Sequence, residues 1–175
     1  VQIGPGCPAS VLREVMSIFP TLELAAKNTS SSFVLSGEKN IVKNLCNWFR
    51  ARNKELSGSH TGKTQVKKIR CVQLASAHAF HSKFMRPAAT HLSAYISSAC
   101  KTRAPSQLNM AYVSNVTAKL QTVDGATPDY WGNHMCSAVK FSDGIDLIRA
   151  KYQSDRIIFL EVGPGRSLTG LVQKH

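Results

Sequence analysis

Two imidazoles three residues apart, in His78-Ala79-Phe80-His81-Ser82, are the groups in this chain best suited to moving a proton. Imidazole changes charge near neutral pH, so a histidine held rigidly and left accessible can act as general base for a hydroxyl or a thiol. The flanking residues say how His81 would be held. Ile69-Arg70-Cys71-Val72-Gln73-Leu74 alternates apolar and polar positions, as a half-buried strand does. Beyond the motif, Phe84, Met85, Ala88, Ala89, Leu92, Tyr95, Ile96 and Ala99 recur at steps of three and four, the pattern of an amphipathic helix. Ser82 suits an N-cap, and Pro87 falls in or near the first turn, where proline is tolerated. His81 therefore stands where a strand ends and a helix begins, an exposed connection between two rigid flanks.

The other candidate chemistries are weaker. Ser57-Gly58-Ser59-His60-Thr61-Gly62-Lys63-Thr64 falls just short of a phosphate-binding loop. Ser57 occupies the first glycine position, no apolar strand precedes it, and Gln65-Val66-Lys67-Lys68 is a poor helix start. The phosphate cradle needs strand, loop and helix together, so nucleotide binding is not expected. The five cysteines (Cys7, Cys46, Cys71, Cys100, Cys136) are odd in number, widely spaced and never in a Cys-x-x-Cys pair. Reduced thiols in an intracellular protein are expected, and no zinc or other metal site.

A chain of 175 residues with 43% hydrophobic content can bury one core. No run is long enough to cross a bilayer, and the first residues lack a basic stretch followed by an apolar one. The chain does not start with Met, so a targeting segment could lie upstream. The net charge of +12 means either a solvated basic surface or an anionic partner. Lys39, Lys43, Arg50, Arg52 and Lys54, followed by Lys63, Lys67, Lys68 and Arg70, form the densest basic region. No aromatic residues interleave with it, so stacking on single-stranded nucleic acid is unsupported.

The remaining pattern predicts the elements that position the histidines. Ser10 caps a helix through Val11, Leu12, Val15, Met16 and Phe19, stopped at Pro20. Residues 22–26 and 32–35 read as two strands around a turn, followed by a helix whose stripe is Ile41, Val42, Leu45, Cys46 and Phe49. Residues 50–68 read as a polar surface loop. Downstream come a strand at 111–114, a turn at Asp124-Gly125, a short helix at 128–135 and an amphipathic helix around Ile145, Leu147 and Ile148. Residues 157–162 form a continuous apolar run suited to a parallel strand buried on both faces. Gly163-Pro164-Gly165 makes a sharp turn, and Ser167 caps a last helix with Leu168, Leu171 and Val172 inward. The order suggests βαβ-type units over 70–175, with a smaller strand–strand–helix unit before them.

His78-Ala79-Phe80-His81-Ser82 followed by Met85-x-Pro87 resembles the histidine motif of the acyltransferase (malonyl transacylase) domains of polyketide synthases and type I fatty acid synthases. Further segments match in the same order. They are Leu24-Ala25-Ala26-Lys27-Asn28 with Val34-Leu35-Ser36-Gly37, Tyr112-Val113-Ser114-Asn115-Val116-Thr117, Tyr130-Trp131-x-x-His134 with Val139-x-Phe141, and Phe159-Leu160-Glu161-Val162-Gly163-Pro164-Gly165 with Leu168-Thr169-Gly170. Each is weak alone; their collinearity over roughly residues 22 to 172 is specific.

The resemblance implies an α/β fold: an α/β hydrolase-like large subdomain, here partial, interrupted by a small ferredoxin-like α+β subdomain. Residues 1–21 would end the first part of the large subdomain, 22–76 form the small one, and 77–175 complete the large one. It implies an enzyme that loads malonyl from malonyl-CoA onto a serine, then passes it to the phosphopantetheine thiol of acyl carrier protein. His81 would be the catalytic base, with a backbone carbonyl mapping onto His134 orienting its ring. His78, Ala79 and Phe80 match the version of the motif associated with malonyl, Phe80 crowding an extra methyl. No cofactor is implied. The partners are the carrier protein, the coenzyme A thioester and neighbouring synthase domains such as ketosynthase, with no nucleic acid and no membrane. The location would be cytoplasmic, or plastid if a targeting segment lies upstream.

One departure bears on activity. The family's nucleophile lies in Gly-x-Ser-x-Gly, and the 175 residues contain no such pentapeptide; Gly58-Ser59-His60-Thr61-Gly62 has His at its centre. The nucleophile, the arginine that binds the malonyl carboxylate and part of the oxyanion hole are expected to precede residue 1, leaving this polypeptide alone inactive. The alternatives are a catalytically silent scaffold that docks carrier protein through its basic face, and a nucleic-acid-binding module.

Overall fold

The computed structural model describes residues 1–58, 68–99, 107–123, 127–153 and 156–175. The near-phosphate-loop beyond Gly58, the Asp124-Gly125 turn and Cys100 lie outside them.

The first unit runs β1 (Gln2–Ile3), α1 (Ala9–Ile18), β2 (Glu23–Thr29), β3 (Ser32–Ser36), α2 (Lys39–Gly58) and β4 (Cys71–Val72). Its strands form one sheet in the order β2-β3-β1-β4, every pair antiparallel. Ile3 stands opposite both Phe33 and Cys71, and Leu24 opposite Leu35, so alternate positions of the strands present one apolar face. Val11 and Val15 of α1 and Val42, Leu45, Cys46 and Phe49 of α2 close over it in a single core with Val1, Leu22 and Ile69. β1 and α1, which precede residue 22, thus share the sheet and the core of the elements that follow. Gly4 (φ +107) turns the chain out of β1 where a Cβ would lie 2.5 Å from the Ser31 carbonyl, so no other residue fits there without a shift.

Two local expectations change. α1 starts at Ala9 with Pro8 at the N-cap, so Ser10 sits inside its first turn rather than before it. α2 continues to Gly58 where the polar composition predicted a loop from residue 50. Tertiary contacts explain the extension. Arg52 donates to Glu14 at 2.7 Å and lies 5.0 Å from the centre of the Trp48 ring, while the Asn53 side chain bonds both the carbonyl and the N–H of Ile69. A composition-based reading does not see such long-range partners.

The second half runs α3 (Arg86–Ala99) after a 3-10 turn at Lys83–Met85, β5 (Gln107–Val113), β6 (Leu120–Val123), α4 (Pro128–Cys136), α5 (Phe141–Lys151) and α6 (Ser167–Val172). β5 and β6 pair antiparallel, so the βαβ-type arrangement expected over 70–175 is absent among the described residues. α3 and α4 pack closely at Gly132, where a Cβ would lie 2.3 Å from the Ser93 hydroxyl oxygen. Thr127 caps α4 by accepting from the Tyr130 N–H, with Pro128 at its first position.

Residues 157–162 depart furthest from expectation. They belong to no sheet, and Ile158, Leu160 and Val162 are 90%, 83% and 89% exposed. A strand needs a neighbour to pair its backbone groups, and no strand among the described residues lies beside this one. Downstream, α6 is preceded by Arg166 rather than capped by Ser167. Its first turn is held by Glu161, whose carboxylate accepts from the Leu168 and Thr169 N–H groups and the Thr169 hydroxyl. Those bonds, the hydroxyl's first, hold the Glu161 carboxyl below its ordinary range.

Candidate active site

β4 ends at Val72, and the chain reaches α3 through an irregular segment fastened at several points. The Ser76 hydroxyl donates to the His78 carbonyl at 2.8 Å, and the fully buried Ser82 hydroxyl to the Ala79 carbonyl at 2.6 Å. Ser82 precedes the 3-10 turn but makes no side-chain cap; its hydroxyl is spent inside the loop. Two bonds tie the segment to the first unit: Ser36 Oγ donates to the Phe80 carbonyl at 2.6 Å, and the Lys83 N–H to Glu23 Oε2 at 3.0 Å. Between these anchors His81 adopts φ +58, the left-handed region that costs a side chain steric energy. Such strain persists where surrounding contacts over-determine it, and it is common at functional sites.

The contacts of His81 come from the end of α4. A helix leaves its last carbonyls without partners inside the helix. Here the His81 N–H donates to the Met135 carbonyl at 3.2 Å, and Nδ1 lies 3.2 Å from the His134 carbonyl and 3.0 Å from that of Ser137. Carbonyl oxygens only accept, so Nδ1 must carry the hydrogen, which leaves the Nε2 lone pair of the neutral ring available.

His134 thus meets His81 through its main chain at hydrogen-bond distance, while the two rings sit 5.9 Å apart, edge to face. The His134 ring packs against Tyr130 and Trp131; burial, and secondarily the neighbouring His81, hold its pKa below the ordinary imidazole value. His78 and Phe80 form an edge-to-face pair at 5.8 Å on the outer side of the loop, with Phe80 48% exposed, and Ala79 is half-buried. The structure therefore groups His81 with the His134 carbonyl and sets His78 and Phe80 together at the surface.

Sequence reasoning gave no role to Ser114 or Ser137. Ser114 is fully buried; its hydroxyl oxygen accepts from the Val116 and Thr117 N–H groups and lies 2.9 Å from the Tyr130 hydroxyl. This turn presents the Asn115 carbonyl to the Lys140 N–H at 2.9 Å, while Val139 bonds β2 on both sides, through Ala25 and Lys27. Ser137, two residues earlier, is held in place by both attachments. The available signal was Ser114-Asn115-Val116-Thr117, a serine followed by polar residues after a strand, which favours a side-chain-capped turn.

A cleft of about 560 Å³ opens between α3 and α4, lined by residues including Lys83, Arg86, Asp129, Asn133 and Ser137. It shares Ser137, and the Glu23 and Lys83 anchor, with the segment that holds His81, although His81 itself does not line it. Cys46 and Cys71 have their sulfurs 3.5 Å apart, and burial first, then the contact with Cys46, pushes the Cys71 thiol up to about 12. Among the described residues no group of three or more His, Cys, Asp or Glu could hold a metal ion, and no helix is long and apolar enough to cross a membrane.

No family model matches the chain. Its homologues are segments of polyketide synthases. It is 32% identical over 153 residues to a phenolphthiocerol synthesis type I polyketide synthase of Mycobacterium marinum, and 30% identical over 153 residues to mycoketide-CoA synthase of Mycobacterium tuberculosis. These alignments cover 86% and 87% of this chain, which spans 6% and 3% of those synthases. Among solved structures, it is similar to malonyl CoA-acyl carrier protein transacylase from Burkholderia pseudomallei, at 24% identity and a TM-score of 0.79, over 98% of this chain and 53% of that one. It is also similar to the acyltransferase domain of the second module of the salinomycin polyketide synthase, at 25% identity and a TM-score of 0.72, over 99% and 35%.

Proposed function

We propose that this chain, homologous to polyketide synthase segments and folded as acyltransferase domains are, supplies the general base of a malonyl transferase whose serine nucleophile lies in the remainder of the protein. His81 Nε2 takes the serine proton as the oxygen attacks the thioester carbonyl of malonyl-CoA. It returns that proton to the departing coenzyme A sulfur, leaving malonyl on the serine. In the second half-reaction Nε2 takes the proton of the carrier protein's phosphopantetheine thiol, whose sulfur displaces the serine oxygen; the serine is then reprotonated. The observation that carries this reading is the pair of carbonyls at His81 Nδ1, which leaves the Nε2 lone pair for a base's role and faces the positive charge a base gains. His134 acts through its carbonyl. Phe80, with His78 and Ala79, favours malonyl over a methyl-bearing analogue by steric crowding, an effect of about 1–3 kcal/mol.

The subdomain reading follows. The order β1-α1-β2-β3-α2-β4, with antiparallel sheet order β2-β3-β1-β4, supports a ferredoxin-like small subdomain up to residue 76. Residues 77–175 belong to a hydrolase-like large one. The exposed Ile158, Leu160 and Val162 support the reading of 157–162 as a strand of the large sheet whose neighbours are elsewhere in the complete domain.

The second reading, a catalytically silent scaffold, is favoured by one observation, the lack of Gly-x-Ser-x-Gly in these 175 residues. Mass spectrometry of the complete acyltransferase domain after incubation with malonyl-CoA separates the two. Malonyl on the serine of a Gly-x-Ser-x-Gly segment is expected, and this chain alone should stay unmodified. A complete domain that never acquires malonyl would favour the scaffold.

A further inference from the structure

Two cysteines away from the histidine site lie close enough to react with each other. Cys46, on α2, belongs to the core of the first unit and is 6% exposed. Cys71 opens β4, is half-buried and packs against the same core. Their sulfurs are 3.5 Å apart although the two residues are 25 positions apart in the chain. A buried thiol packs as a small hydrophobe, and one such thiol would mean nothing more. Two in contact can exchange their hydrogens for a covalent bond.

Each sulfur is placed by a different element. Val42, Leu45 and Phe49 fix the register of α2 around Cys46 by packing into the core beside it. Cys71 stands opposite Ile3 in the sheet, and the Gly4 N–H donates to the Arg70 carbonyl next to it at 2.8 Å. Further along α2, the Asn53 side chain bonds both the carbonyl and the N–H of Ile69, just before β4. The helix and the start of the strand are thus already fastened to each other, and the thiols meet between the fastenings. A disulfide bond is about 2.05 Å long, so the 3.5 Å gap must close by about 1.5 Å, which side-chain rotation and a small backbone shift can supply.

The position of the pair gives such a bond a consequence. β4 is a two-residue strand at the edge of the sheet, paired with β1, and from Val72 the chain runs on to the segment that carries His81. So short an edge strand is held by few ladder bonds and opens easily. A covalent link from Cys71 to α2 would hold it in place.

We propose that Cys46 and Cys71 are a peroxide-sensitive site, forming a reversible disulfide that fastens the edge strand β4 to α2. One thiolate attacks hydrogen peroxide, displacing hydroxide and becoming a sulfenic acid. The other sulfur then attacks the oxidised one, forming the S–S bond and releasing water. In total the two thiols give up two electrons and two protons, and the peroxide is reduced to two waters. Burial first, then the contact with Cys46, holds the Cys71 thiol up at about 12, so the pair rests reduced near neutral pH and its oxidation quickens as pH rises. The site is independent of the malonyl-transfer reading.

The test treats the complete acyltransferase domain with hydrogen peroxide and maps its disulfides by mass spectrometry of non-reduced peptides. The expected product joins Cys46 to Cys71 within one molecule and reverts with dithiothreitol. Amide hydrogen exchange at Cys71 and Val72 should slow at least tenfold on oxidation. The Cys46→Ser variant should show no such slowing after the same treatment, and Cys71→Ser repeats the comparison from the other sulfur. Both thiols still free after peroxide, sulfinic acid in place of the bond, or a bond between two molecules would overturn the proposal. So would an oxidised domain whose β4 amides exchange no more slowly. If neither serine variant folds, the peptide map and exchange rates of the parent domain decide the matter.

Discussion

Replacing His81 by alanine in the complete acyltransferase domain should slow serine loading from malonyl-CoA by about 10²–10⁴-fold, the usual contribution of a positioned general base. The loss should lie in the chemical step, because the side chain bonds carbonyls of its own chain through Nδ1 and offers only Nε2 to a reactant. A folding defect is a competing explanation, since His81 sits at φ +58, where alanine is strained as well. Glycine separates the two. His81→Gly relieves the backbone while removing the imidazole, so it should fold at least as well as His81→Ala and be as slow. Rapid single-turnover loading in either variant would remove His81 from the mechanism.

Phe49→Ala should cost about 3–5 kcal/mol of unfolding free energy, read from the denaturant midpoint of the chain. Phe49 is among the largest fully buried side chains, 1% exposed, in the same core as Val15, Leu35 and Leu45. Its neighbours are held by sheet pairing and helix backbone, so the vacated volume cannot collapse cheaply. A domain of ordinary stability has about 5–15 kcal/mol in hand, so the variant stands near unfolding. Tyr95→Ala, at a position 72% exposed, should change stability by no more than about 0.5 kcal/mol. A Phe49→Ala loss below about 1 kcal/mol would mean that this core is not the one that holds the first unit together.

The parts of the molecule legible in the sequence are those governed by local pattern. The stripe Ile41, Val42, Leu45, Cys46 and Phe49 gave a helix facing a sheet, and α2 has Val42, Leu45, Cys46 and Phe49 buried. The short apolar run in Ser32–Leu35 beside a turn gave β3, and Pro128 after Thr127 gave the start of α4. What the pattern could not supply was partnership. The polar residues 50–58 continue α2 because Glu14 and Ile69, distant in sequence, bond Arg52 and Asn53. β1, only two residues long, looks like loop until its neighbours β3 and β4 are in place. The apolar run at 157–162 reads as a strand, yet among the described residues it has no strand to pair with.

The histidine site divides the same way. His81 was visible from its motif and its place between strand and helix, and a carbonyl near His134 as its partner came from the family resemblance. Ser137 was not visible, because a backbone carbonyl has no residue-type signature. Its position depends on Ser114, Tyr130 and the bonds that Val139 makes to β2. The strain at His81 was hidden as well: a positive φ at a non-glycine residue follows from anchors on both sides, here Ser36 and Glu23 from the first unit.

The carbonyls at the end of α4 select one tautomer of the His81 imidazole. Nitrogen-15 NMR of ring-labelled histidine, with the His81 signals identified by their loss in His81→Gly, reads that tautomer directly at a pH where the ring is neutral. The geometry predicts a protonated Nδ1 and an unprotonated Nε2 at His81. A neutral ring protonated at Nε2, or one averaging between both tautomers, would contradict it.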